Sequence, residues 1–535
     1  MVKPQIFKRL QWIGWGLGLS CLATPAFGLS SSMGEAGINA LKLRKAPYNL
    51  TGRKIAIGQV EIGRPGVFGL DKALSWNPAI AIAQVFHINN PAQSNVEVDP
   101  HATMVAGIMV SAEKAFPGVA PGARLYSSAV GSPKTSGQAE ECLSAQHIAL
   151  QNSQDVRAIN FSFGESLQRD SRPEATLDGN ALLTQCIDWS SSTHNTLYVI
   201  AGNQGNGGIP IPTDNFNGVN VAYSTRREGV FTKVDFTNLS ANPEGIGKRL
   251  INREINAGAR RSISLAAPGS QIELLDLEGK KTRVSGTSFA APHVAGVIAL
   301  LQELGDRQIR LRQPQWTLSA RRHEVMKAVL LNSAEKIKDE GDGLALGMSR
   351  TILTKDNRDW RESDAYSDRK IPLDYQMGTG HLNAFRAYEQ FSPGEWSPET
   401  AVPPIGWDYR QVEEGNFKDY VLDKPLQEGS FVSITLAWDR KVELEDKNSN
   451  GIYDVGEKFS DRGLNNLDIY LMRAEDDDPG NSIWSSESDV DSVQHIFHQI
   501  PSTGKYKIRV KYRQRVNDPV QSYAIAWWTL PARSN

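Results

Sequence analysis

The chain has 535 residues, of which 40% are hydrophobic and 22% charged, enough apolar material for two or three packed domains. Lys and Arg number 58 against 60 Asp and Glu, a formal net charge of -2, which excludes both the basic field of a nucleic-acid binder and the acidic excess of a disordered chain. Three cysteines are too few for a disulfide scaffold, so packing must hold the fold.

Residues 1–28 read as an export signal. Lys3, Lys8 and Arg9 precede an apolar run over 10–23 that is too short and too interrupted by glycine to be a secure membrane span, and Ala26-Phe27-Gly28 offers a cleavage site. A retained anchor and a lipid attachment at Cys21 are the alternatives, and Gly18-Leu19-Ser20 fits the second poorly. No other run is long enough to span a bilayer. The expectation is an exported protein, extracellular or periplasmic, without a stable membrane span after cleavage.

Short apolar runs at 54–60, 123–130, 158–163, 196–200 and 219–222 alternate with helical patterns, which predicts an α/β fold with a mostly parallel sheet covered by helices on both faces. Functional residues of such sheets gather at the carboxyl ends of the strands. Cys142 and Cys186 fall in two of the helical patterns, 136–152 and 176–191, where a disulfide and two free buried thiols both remain open. Further helices are expected after Ser288 and over 323–336, and the charged stretch 355–370 reads as a solvated loop.

The pattern stops at a Pro-rich linker, 393–405. From 406 to 535 the period changes to two, with strands expected at 431–438, 467–472, 505–511 and 523–528, an all-β sandwich domain. Within it Asp446, Asn448, Asn450, Gly451, Ile452, Asp454 and Glu457 occupy positions 1, 3, 5, 6, 7, 9 and 12 of a calcium loop, Ile452 through its carbonyl. Alternating oxygen ligands can all point inward. Strand-like flanks predict a calcium loop between strands with a structural Ca2+, and a solvated polar turn is the plain alternative.

The chemistry centres on Gly286-Thr287-Ser288-Phe289-Ala290-Ala291-Pro292-His293-Val294-Ala295-Gly296. Gly286 permits close backbone approach, and Ser288 opens a helix whose free N–H groups and dipole favour an oxyanion. Pro292 lacks the N–H that would bond the Ser288 carbonyl, so it fits only near a helix start. Gly-Thr-Ser alone is an ordinary helix cap.

The whole run resembles the serine motif of the subtilases, the subtilisin-like serine peptidases, at nearly every position. Asp99-Pro100-His101-Ala102-Thr103-Met104-Val105-Ala106-Gly107 resembles the family's histidine motif, with Ala102 where glycine is usual. Ala201-Gly202-Asn203-Gln204-Gly205 is similar to the segment that supplies an oxyanion-hole asparagine, and Asn160-Phe161-Ser162-Phe163-Gly164 to the one that lines the non-prime substrate cleft. With Ala266-Ala267-Pro268-Gly269 and Gly378-Thr379-Gly380-His381-Leu382-Asn383-Ala384, the resemblance runs over about 50–391 in the family's order. It implies a subtilisin-like domain over 29–392.

The departure is the acid. Where the family has an aspartate at the end of its first core strand, this chain reads Ile57-Gly58-Gln59-Val60-Glu61. Glutamate keeps the charge needed to orient the imidazole but adds a methylene, so the histidine or the strand must shift by about 1.5 Å. Asp71 and Asp99 are the rival acids.

The resemblance implies a serine endopeptidase acting on proteins or peptides, with Ser288 as nucleophile, His101 as general base, Glu61 as orienting acid, Asn203 in the oxyanion hole, and Ser162, Phe163 and Gly164 along the substrate. No cofactor is expected for catalysis. The alternative is a catalytically weak or inactive subtilase-like binding protein. A nucleophile elbow of the α/β-hydrolase kind is disfavoured because that fold places the acid and histidine after the serine. His87, His147, His194, His293, His323, His381, His495 and His498 show no metal spacing and read as surface or core residues. Residues 29–50 are too short for the folding and inhibitory prodomain that many subtilases carry.

Overall fold

A computed structural model describes residues 29–132, 136–173, 175–202, 210–227, 229–233 and 260–533; the expected export signal and Asn203 lie outside them. A ten-stranded, mostly parallel sheet forms the centre of the first unit. Its middle runs Leu197–Ala201, Val156–Phe161, Ala56–Glu61, Arg124–Ala129, Ile82–His87, each strand parallel to its neighbour. Ala56–Glu61 and Val156–Phe161 are buried at every position because helices cover both faces.

Alternate residues of these strands enter different cores. Ile57, Leu125, Ala158 and Val199 pack with helices Pro100–Val110 and Thr287–Arg310, while Ala56, Val60, Ile159 and Tyr198 pack with Gln138–Ala149 and Leu182–His194. Gln59 and Glu61, two and four residues beyond Ile57, therefore face the first pair of helices. The second pair is joined by the Cys142–Cys186 disulfide, across 5.8 Å between Cα atoms.

Two four-stranded antiparallel sheets make the second unit, Ile405–Glu413, Val520–Trp528, Phe431–Ala437, Val493–Gln499 against Phe417–Val421, Tyr506–Gln514, Asn466–Arg473, Trp484–Ser486. Inward residues such as Tyr420, Ile434, Ile469, Leu471, Ile508 and Trp527 fill the space between them. The first sheet also packs outward: Trp407, Ala437, Val493, Ala524 and Ala526 share one core with Val325, Met326 and Val329 of helix His323–Ser333. Residues 393–405 connect the units as a docked strap, with the Trp396 backbone N–H donating to the Trp407 carbonyl at 2.9 Å and that of Val402, fully buried, donating to the Val421 carbonyl at 2.8 Å.

Two expectations shift for local reasons. The helix expected over 176–191 begins only at Leu182, because Arg172 pairs with Asp170 and Asp178 and the Gly179 N–H bonds Asp214, which holds the preceding segment in a loop. The charged stretch 355–370 is not wholly solvated. Trp360 in its middle is fully buried, its indole N–H on the Gly378 carbonyl at 3.0 Å. Among the described residues no helix is long and apolar enough to cross a membrane.

Candidate active site

Glu61 is the last residue of its strand and 2% exposed, so its carboxylate emerges at the carboxyl edge of the sheet. His101 is the second residue of helix Pro100–Val110, and its Nδ1 lies 3.4 Å from Glu61 Oε2. That helix starts where it does because the Asp99 carboxylate accepts the Ala102 N–H at 2.8 Å and Pro100 occupies the first turn. Asp99 is thus spent as a cap. Asp71, the other rival, forms a two-armed ion pair with Arg64 at 2.7 Å, both side chains fully buried, and does not face the imidazole.

Electrostatics follow from this placement. Burial lowers the His101 pKa, but the charge of Glu61, with that of Asp99, outweighs it and holds the imidazole above its ordinary value. Burial raises the Glu61 pKa, against the charge of the His101 imidazole beside it. The Gln59 amide donates to the Ala102 carbonyl at 2.9 Å, joining the acid's strand to the histidine's helix.

Ser288 is the second residue of helix Thr287–Arg310. Gly286 caps that helix at φ +146°, a backbone that favours glycine. A Cβ on Gly269 would come 2.6 Å from the Gly286 carbonyl oxygen, while one on Gly286 would meet nothing nearer than 3.9 Å. The Phe289 ring, next to Ser288, lies 5.3 Å from the His101 ring and brings the two helices' active ends together.

Pro292 leaves the Ser288 carbonyl without a helical partner, and Ser162 fills the gap. Its hydroxyl donates to that carbonyl at 3.0 Å, while the Ser288 hydroxyl donates to the Ser162 carbonyl at 3.1 Å. Asn160 supports Ser162 at 2.8 Å, a role that sequence reading did not single out although Asn160 is in the motif. Phe163 is 6% exposed and stacks on Phe161, and Ser162 is 4% exposed, so neither side chain stands out at the surface. Ala201 and Gly202 lead from the next strand end toward Asn203, which is outside the described residues.

The loop over 446–457 joins strands Lys441–Glu445 and Lys458–Gly463. Asp446 accepts N–H groups from Asn448, Asn450 and Gly451, Asp454 accepts the amides of Asn448 and Asn450 at 2.8 Å each, and Glu457 accepts the N–H groups of Lys447 and Asp454. All the carboxylates turn into the loop, which suits an oxygen-liganded cation once the two amides rotate. Elsewhere among the described residues, His323, Glu324 and Asp439 lie close enough to share an ion. There each imidazole nitrogen faces a different carboxylate, at 3.1 and 3.0 Å, an arrangement satisfied by a protonated imidazole between the two units.

The subtilase family model matches residues 73–354, more than half of the chain, including His101 and Ser288 and starting beyond Glu61. This chain belongs to the subtilase family. Among subtilases it is 25% identical over 246 residues to the thermostable alkaline protease of Halalkalibacterium halodurans, covering 44% of this chain and 58% of that protein. It is 24% identical over 250 residues to the M-protease of Shouchella clausii, covering 46% and 54%. The chain thus spans little more than half the length of these relatives. A solved structure of MycP1 with its N-terminal propeptide removed aligns with 67% of this subtilase and 96% of its own chain, at 17% identity and a TM-score of 0.40.

Proposed function

We propose that this subtilase is an exported serine endopeptidase that cleaves proteins or peptides through an acyl-enzyme, using Glu61, His101 and Ser288. The observation that carries this reading is the 3.4 Å approach of Glu61 Oε2 to His101 Nδ1 at the sheet edge where Ser288 opens its helix. Glu61 holds the proton on Nδ1, leaving Nε2 to take the Ser288 proton. Ser288 Oγ swings from the Ser162 carbonyl to His101 and attacks the substrate carbonyl. His101 then delivers the proton to the leaving amine, and water repeats the cycle on the ester. The Ser288 N–H at the helix start and the Asn203 amide are the proposed oxyanion donors, each worth about 10²–10³ in turnover on subtilisin precedent.

Export is supported by the Cys142–Cys186 disulfide, a bond that persists in oxidising compartments. Asp446, Asn448, Asn450, the Ile452 carbonyl, Asp454 and Glu457 are proposed to hold a structural Ca2+, with no part in the reaction. The second reading, a binding protein with weak chemistry, draws on the Ser288 hydroxyl being bonded to Ser162. Labelling of the purified chain with a serine-directed fluorophosphonate decides between them. Labelling of the wild type but not of an equally stable Ser288→Ala supports the peptidase; equal labelling of both, or of neither, removes it.

A further inference from the structure

We propose that the buried Arg64–Asp71 ion pair is a positioning device that sets the distance between Glu61 and His101. The proposal rests on the reading of Glu61 as the catalytic acid.

Arg64 lies three residues beyond Glu61, and the segment over 93–99 leads into His101. These two stretches of chain are zipped together at Arg64. Its backbone N–H donates to the Glu97 carbonyl at 2.7 Å, and the Asp99 N–H donates back to the Arg64 carbonyl at 2.9 Å. The side chain repeats the connection from below. One guanidinium arm gives 2.7 Å to Asp71 Oδ2, and the other gives 2.7 Å both to Asp71 Oδ1 and to the Gln93 carbonyl. Asp71 in turn accepts the Val67 N–H at 2.8 Å and the Asn95 N–H at 2.7 Å. The exit from the acid's strand and the entry to the histidine's helix therefore share one charged hub, 0% exposed.

A hub of this kind is not the natural choice for stability alone, because desolvating two charges offsets much of their attraction and an apolar pair of similar volume often does as well. What it supplies is geometry. A planar guanidinium satisfied on both arms has one orientation, and it fixes everything bonded to it. This chain has a particular need for that. Glutamate carries its carboxylate one methylene farther than aspartate, with one more rotatable bond, so the imidazole must be held at a set distance for Oε2 to reach Nδ1 and no farther. Gln59 steadies the same pair from the strand side through the Ala102 carbonyl.

The test uses the full chain carrying Arg64→Lys, which keeps the charge but loses the fork, and Asp71→Asn, each in the wild-type and the Glu61→Gln background. The apolar pair Arg64→Met with Asp71→Leu leaves no charge stranded and carries the test if a single variant fails to fold. Hydrolysis of fluorescent casein and the rate of fluorophosphonate labelling are measured against pH, on variants whose melting shows a native fold. The expected result is a fall in kcat on the order of 10–10²-fold with KM within about twofold, the cost of misplacing a reacting group by about an ångström. The acid limb of kcat/KM should move to lower pH as the Glu61–His101 contact loosens. In the Glu61→Gln background the same substitutions should cost nothing further, since the contact they protect is already gone. Unchanged kcat in folded variants overturns the proposal, and so does a loss equally large in both backgrounds with Glu61→Gln itself impaired. A fully active Glu61→Gln overturns the acid assignment and this proposal together.

Discussion

Arg440 reaches from the second unit into the first and places its Nε 3.2 Å from Asp188 Oδ2 on helix Leu182–His194, both side chains buried. The same guanidinium donates to the Gly179 carbonyl at 2.7 Å and lies 4.5 Å from the Phe216 ring centroid. Burial raises the Asp188 pKa, opposed by the Arg440 charge and by N–H groups of Asn217 and Phe216. The β-sandwich is therefore tied to the subtilase unit by charge as well as by the shared core around helix His323–Ser333.

Removing the arginine strands a buried carboxylate. Arg440→Ala should cost about 3–5 kcal/mol, and Arg440→Lys should restore only part because it cannot reach both Asp188 and Gly179 with fixed geometry. Urea unfolding of the three proteins checks this. Coincident transitions for wild type and Arg440→Ala would show that the contact carries no weight.

The pH profile should report the Glu61–His101 contact. Attack requires neutral His101, and its folded pKa lies above the ordinary value of 6.5 because Glu61 favours the imidazolium. Activity should accordingly fall as pH drops through a point above 6.5. Glu61→Gln removes the charge that raises that pKa, so the limb should move to lower pH, while the plateau rate falls by up to about 10⁴ as the amide favours the wrong tautomer. A limb that stays in place in Glu61→Gln would assign the acid elsewhere.

Calcium is expected to stabilise the whole chain through the 446–457 loop. Asp446, Asp454 and Glu457 are drawn inward on backbone and amide donors, and a cation there adds about 2.7 kcal/mol at a hundred times its dissociation constant. Chelator should lower Tm, Asp446→Ala with Glu457→Gln should remove the difference, and magnesium should substitute poorly because it dehydrates reluctantly. The intact protein is the sample to use, since an isolated sandwich would expose Trp407, Val493 and Ala526. Identical melting with calcium and chelator would leave the loop a polar turn.

Most of this architecture can be read from local sequence because the deciding residues act locally. Ser288, Gly286 and Pro292 sit within one helix start, and His101 sits two residues after its own cap, so each motif carries its geometry with it. The strands expected at 54–60 and 158–163 stand out as apolar runs because both of their faces are covered, and the structure places them at Ala56–Glu61 and Val156–Phe161. What sequence cannot show depends on distant partners. Asp71 resembles a spare acid until Arg64 is found on it, and Trp360 hides in a charged stretch until Gly378 accepts its N–H. Residues 393–405 read only as a Pro-rich linker because proline and glycine say nothing about what the chain lies against; Val402 lies against Leu422 and is buried.

That docked strap has a further consequence for how the protein behaves once cut. Glu399, Thr400 and Ala401 are exposed, whereas the chain on either side is held by Trp396, Val402 and the core beyond. A single nick there by a protease would break the backbone without separating the two halves. Such a molecule would run as two bands on a denaturing gel and as one species in gel filtration, and its parts would dissociate only when the interface itself melts.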